Sequence, residues 1–172
     1  MTEDFAHRIP LNQIRDGERI DIIANECERS RIAERLDLRS LDRLEAHATL
    51  DRKGAIVRAR GRLKAILCQN CVVTGEPVEA SADEAFDIAF LPEPQKGAGE
   101  EEVELVEADC DVVFHDGSGI DLGSAIADTL ALGIDPYPRS AGAEAALKEA
   151  GVLSEAEAGP FGALAKLKRS EP

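Results

Sequence analysis

Hydrophobic and polar residues alternate most cleanly between Arg43 and Ala65. Leu44, Ala46, Ala48 and Leu50 interleave with Arg43, Glu45, His47 and Thr49, and Val57, Ala59, Gly61, Leu63 and Ala65 interleave with Arg58, Arg60, Arg62 and Lys64. A period of two places each set on one face of a strand. With Lys53-Gly54 as the turn, the predicted hairpin sets Leu50 opposite Val57, Ala48 opposite Ala59, Ala46 opposite Gly61 and Leu44 opposite Leu63. A slip by one residue would bring each apolar side chain against a charge.

The same reading extends along the chain. Phe5, Ile9 and Leu11, then Ile20, Ile22 and Ala24, predict two opening strands joined across Gln13 to Glu18, with Asp16-Gly17 as the turn signal. Glu28 to Leu38 carries Ile32, Ala33 and Leu36 at helical spacing, with Arg29, Glu34 and Arg35 outward. A further strand spans Pro77 to Leu91, with Val78, Ala80, Ala82, Phe86, Ile88 and Phe90 on one face, and Pro92 and Pro94 end it. PEPQKGAGEEE reads as a solvated loop, followed by one or two strands from Val103 to Phe114. Asp121 then caps a helix whose stripe is Leu122, Ala125, Ile126, Leu130 and Ile134, stopped at Asp135-Pro136.

Beyond Asp135 the chain is rich in Ala, Gly and Pro, which predicts a partly flexible tail over 136–172 with a short helix at Glu144 to Glu149. The closing PFGALAKLKRSEP sets Phe161, Leu164 and Leu167 on one side of a small amphipathic helix, expected to pack on the chain's own sheet. The fold class is therefore α+β: a single domain over 1–135, built on an antiparallel β-sheet, with strong curvature or a barrel-like form left open, and a few short helices.

Charge changes this picture locally. The formal net charge of the 172 residues is −14, which repels nucleic acid and anionic membranes at long range and favours basic partners. Residues 52–64 nevertheless contain Arg52, Lys53, Arg58, Arg60, Arg62 and Lys64 and no acid, whereas in residues 65–111 Lys96 is alone against thirteen acids. Arg58, Arg60, Arg62 and Lys64 are the candidate partner-binding residues. Alternate strand residues lie about 6.6 Å apart, near the spacing of successive phosphates. The competing expectation is a solvated face whose arginines are balanced by Glu45 and by acids on the next strand. No aromatic interleaves the stripe, which argues against reading single-stranded bases.

Candidate chemistry is sparse. Cys68 and Cys71 are spaced as a zinc-ligand pair, but Cys27, Cys110, His47 and His115 do not form the second pair that a closed tetrahedral site needs. A redox dithiol would open a helix, and Val72-Val73-Thr74 are strand formers. Two small buried or half-buried thiols in a strand-to-strand connection fit the pair best. His7, His47 and His115 are isolated, and no nucleophile motif or phosphate loop appears, so neither enzymatic activity nor a cofactor is expected. The start MTEDFAHRIP has no apolar run, and no later stretch approaches the ~20 apolar residues of a membrane helix, which predicts a cytoplasmic protein.

Cys71-Val72-Val73-Thr74-Gly75-Glu76-Pro77-Val78 is similar to the central motif of the YceD family, the large ribosomal RNA subunit accumulation proteins. So are Ile120-Asp121-Leu122-Gly123, Ala131 through Arg139 (ALGIDPYPR), and Pro160 through Lys168. Cys71, Glu76 and Pro77 are the motif residues singled out. The resemblance implies a non-enzymatic role in accumulation of 23S ribosomal RNA during large-subunit biogenesis, through ribosomal RNA or a basic ribosomal protein. Many members resemble Cys-x-Arg-Cys-Leu where this chain has Cys68-Gln69-Asn70-Cys71-Val72, and the resemblance implies that the first cysteine is dispensable. The alternative is a small zinc-binding structural module using Cys68 and Cys71, with no ribosomal role.

Overall fold

The computed structural model describes Phe5, residues 7–93 and residues 111–152. The chain packs as two compact units, one formed by residues up to Gln69 with Glu79–Asp135, the other by Asn70–Val78 with the residues from Pro136 onward. Among the described residues, no helix is long and apolar enough to cross a membrane.

The first unit is built on a five-stranded sheet of order β2-β3-β4-β5-β6, formed by Glu18–Ile23, Ser40–Lys53, Ile56–Asn70, Pro77–Pro92 and Asp111–His115. Among the described residues the sheet is open: β2 and β6 are its two edges, and it does not close into a barrel. The class is α+β, but one pairing departs from the antiparallel expectation. β6 runs parallel to β5, from Ile88 opposite Asp111 to Pro92 opposite His115. Parallel neighbours need a long crossover, which residues 93–110 supply. The PEPQKGAGEEE loop from residue 94 on, the strand expected over 103–110, Cys110 and the closing helix with Phe161, Leu164 and Leu167 lie outside the described residues.

The central hairpin keeps the expected faces and shifts its register by two. Leu50 pairs with Ala59, Ala48 with Gly61, Ala46 with Leu63 and Leu44 with Ala65. The turn is Gly54-Ala55 rather than Lys53-Gly54, with Gly54 at φ 65°. A glycine with positive φ suits the first central position of a two-residue hairpin turn, which moves the turn by one residue and the pairing by two. An even shift conserves which residues face inward, so alternation does not detect it. Past Leu41 the ladder changes step, and Asp42 is the extra residue of a bulge.

The two opening segments do not share a sheet. β1, Arg8–Pro10, pairs antiparallel with β7, Gly119–Asp121, and a 3-10 turn at Leu11–Gln13 separates it from β2, which pairs with β3. β1 lacks the length for a ladder with β2, and Pro10 has no N–H to donate. Helix α1 is Glu26–Arg35, two residues earlier than its apolar spacing suggests. Asn25 accepts from Glu28 N–H while the Glu28 side chain accepts from Asn25 N–H, a reciprocal cap. At the other end Asp37 adopts φ 53°, Leu38 N–H reaches Ala33 C=O, and Asp37 N–H reaches Glu34 C=O. This is the Schellman arrangement with aspartate where glycine is usual.

Helix α2, Leu122–Gly133, is capped by Asp121 as expected, its carboxylate accepting from Ser124 N–H. One cluster joins the inward residues of the sheet, including Leu44, Leu50, Val57, Leu63, Phe86, Ile88 and Phe90, to Ile32 of α1 and to Leu122, Ile126 and Leu130 of α2. Both helices thus cover one face, and among the described residues no element covers the other. In the second unit, helix α3 is Ala143–Glu149, at the position expected from sequence.

Candidate functional site

The water-facing side of the sheet carries the basic stripe. Arg58, Arg60, Arg62 and Lys64 project from alternate positions of β4, and carboxylates meet three of them. Arg58 holds Asp87 of β5 through two nitrogens, both at 2.6 Å. Arg60 pairs with Asp51 across the hairpin, and Arg62 with Asp83 of β5. Arg62 and His47 are register partners, as are His47 and Asp21, and His47 Nδ1 lies 2.7 Å from Asp21 Oδ1. A row of polar side chains, Asp21, His47, Arg62 and Asp83, therefore crosses four strands, with the acids at its two ends. Glu45, expected to balance the stripe, pairs instead with Arg43 on its own strand. No ion pair of Lys64 occurs among the described residues.

The pairing shows in the titration of the acids. The Arg58 hydrogen bonds hold the Asp87 carboxyl below its ordinary range, and Arg62 does the same for Asp83. Asp83 in turn holds the Arg62 guanidinium above its usual value. The stripe is thus largely a charge-paired face, with Lys64 at one end.

The motif residues Cys71, Glu76 and Pro77 belong to the second unit and form a clasp there. β4 ends at Asn70, and Val72-Val73-Thr74 is a turn rather than the strand that its composition suggests. Local bonds override propensity: Cys71 N–H donates to Glu76 C=O at 2.8 Å, and Gly75 N–H to Cys71 C=O at 2.9 Å, with Gly75 at φ 72°. Pro77 then opens β5. Cys71 is 3% exposed, and its Sγ accepts from Thr74 N–H at 3.4 Å and Ser140 N–H at 3.2 Å. Val72 N–H donates to Pro138 C=O, and Thr74 Oγ1 lies 3.1 Å from both Glu76 Oε2 and Ser140 Oγ.

Burial pushes the Cys71 thiol up, but the hydrogen bonds from Ser140 and Thr74 outweigh it and bring the pKa down from 9.0 to about 6. Ser140 and then Thr74 also hold the Glu76 carboxyl below its ordinary value. Cys68 differs in kind. It sits on β4, half-buried, with Sγ 3.8 Å from Gln69 C=O. Among the described residues, no three His, Cys, Asp or Glu side chains gather as metal ligands. Ser140 is the clasp residue that sequence reasoning missed; it follows the recognised Pro138-Arg139, but nothing local marks its N–H as a partner for sulfur.

The family model described as Large ribosomal RNA subunit accumulation protein YceD matches residues 59–168. The chain belongs to the YceD family. No curated protein matches the chain. No solved structure matches it either. The YceD match takes in Arg60, Arg62 and Lys64 of the stripe, the whole clasp, and helices α2 and α3, and it begins after β3.

Proposed function

We propose that the protein is a non-enzymatic factor in biogenesis of the large ribosomal subunit, supporting accumulation of 23S ribosomal RNA by binding a basic ribosomal protein. The ribosomal setting rests on the YceD match. The choice of partner rests on one observation: Arg58, Arg60 and Arg62 already face Asp87, Asp51 and Asp83. An RNA phosphate would have to displace an intramolecular carboxylate at each of these positions. The net charge of −14 meanwhile attracts cationic surfaces and repels polyanions. The non-enzymatic reading draws support from His115. Buried His115 accepts from Gly117 N–H at Nδ1 while Nε2 donates to Ala55 C=O, so both of its nitrogens are spent.

The test is purification of the tagged chain from cells, with identification of bound RNA and protein, followed by two variants. Replacing Glu100, Glu101, Glu102 and Glu104 by glutamine should weaken capture of a basic large-subunit protein. Replacing Arg58, Arg60, Arg62 and Lys64 by glutamine should leave that capture in place, and should flatten the salt dependence of any RNA association by at most about one logarithmic unit per lost phosphate contact. Tight RNA binding by the purified chain at physiological salt, abolished in the stripe variant and kept in the acidic one, would overturn the choice of partner.

A further inference from the structure

Strand β6 differs from the strands beside it in what it leaves to water. Where β3 and β4 alternate buried and exposed residues, and β5 buries Ile88 to Leu91 in succession, β6 exposes Val112, Val113 and Phe114 in succession, the last at 56%. One edge of β6 is paired with β5, and among the described residues no strand occupies the other edge. An apolar edge strand open on both faces is a template for one more strand.

Its surroundings choose the occupant. Val113 and Phe114 border a cleft of about 280 Å³, whose rim carries the carboxylates of Glu93, Asp116, Asp121 and Asp128. Arg8, paired with Asp116, is the one Lys or Arg in that lining, and Arg35 reaches Asp128 from outside it. Four carboxylates against these two guanidinium groups still leave the rim acidic, and Asp111 adds an exposed acid at the start of the strand. Such a rim opposes a second copy of a chain of net charge −14 and opposes RNA.

We infer that the free edge of β6 accepts an extended basic segment of a partner protein as an added strand, its aliphatic residues on Val113 and Phe114 and its lysines or arginines toward the acidic rim. Main-chain hydrogen bonds would supply affinity, and alternate side chains selectivity. The inference rests on the proposed binding of a basic protein and names the surface used.

The experiment titrates the full-length chain with a fluorescent peptide of alternating lysine and valine, and with one of alternating glutamate and valine, following anisotropy and amide hydrogen exchange. The lysine peptide should bind and protect the amides of residues 112–114, and the glutamate peptide should not. Phe114→Glu should weaken binding about tenfold or more. Because that change adds a negative charge, diffuse attraction would move affinity the opposite way. Phe114→Ser, with melts matching the parent chain, controls for folding. Undiminished binding by Phe114→Glu would overturn the proposal, as would amides 112–114 already protected in the free chain, or a dimer that Phe114→Glu dissolves. Capture of a basic ribosomal protein from cells that survives Phe114→Glu would also refute the β6 edge while leaving the proposed function standing.

Discussion

Arg58 grips Asp87 with both ends of its fork, Nε to Oδ1 and a terminal nitrogen to Oδ2, and both side chains are about 70% covered, at 28% and 31% exposed. Two parallel bonds on a partly desolvated pair should make this the strongest cross-strand link on the charged face. A double-mutant cycle of Arg58→Ala with Asp87→Ala, read from denaturant melts, should give a coupling of about 1 kcal/mol. The more exposed Arg62 and Asp83 should couple less, and their coupling should fade in salt. Since the arginines hold both carboxyls below the ordinary 3.8, the contribution is complete above that pH and is lost as pH falls further.

Gly61 should tolerate no side chain. A Cβ there would stand 2.0 Å from the His47 carbonyl oxygen and 2.7 Å from Cζ of Phe86. Gly61→Ala should cost more than about 3 kcal/mol or prevent folding. Trimming Phe86 to leucine should not restore it, because the nearer obstacle is backbone. Gly54→Ala, at positive φ but in open space, should cost only about 1 kcal/mol.

Cys71 should make stability rise with pH. Its folded pKa of about 6 lies below the ordinary 9.0, so the thiolate contribution is complete above about pH 9 and is lost as pH falls through about 6. Melts across that window should show the slope in the parent chain and not in Cys71→Ala. Cys68→Ser should be nearly silent, since Cys68 makes no comparable contact.

The two ends of α1 should respond with opposite signs. Asn25→Ala removes the side-chain acceptor of the reciprocal cap, leaving Glu28 on the backbone N–H of residue 25, and should cost about 1 kcal/mol. Asp37→Gly relieves a left-handed residue at φ 53° and should gain roughly 1 kcal/mol. Urea midpoints of the two variants check both.

The faces of the sheet were legible because burial enforces a period of two; its pairings were legible only modulo two. Leu44 and Leu50 point inward in either register, and the choice was made by Gly54 entering the turn at positive φ, a single residue outweighing the long alternation. The partner of β1 and the parallel placement of β6 are non-local, and no pattern within Arg8–Pro10 or Asp111–His115 contains them. The turn at Val72 to Thr74, inside the expected strand-to-strand connection, is non-local in the same way, since it is held by Cys71, Gly75 and Glu76 and tied to Pro138. Pairing of the arginine stripe was legible in principle: acids at alternate positions of β5 were visible, and only the identity of each partner was not.

The clasp has a temporal side. Ser140 meets the Cys71 sulfur across 69 residues of chain, and translation at roughly 5 to 20 residues per second separates the two by on the order of 3 to 14 s. Through that interval Cys71 is a thiol without its second N–H donor, and the turn at Val72 to Thr74 lacks the Pro138 carbonyl that anchors it. Closure therefore reports that synthesis has passed Ser140, and any nascent or truncated chain stopping short of it carries a Cys71 sulfur without the Ser140 donor.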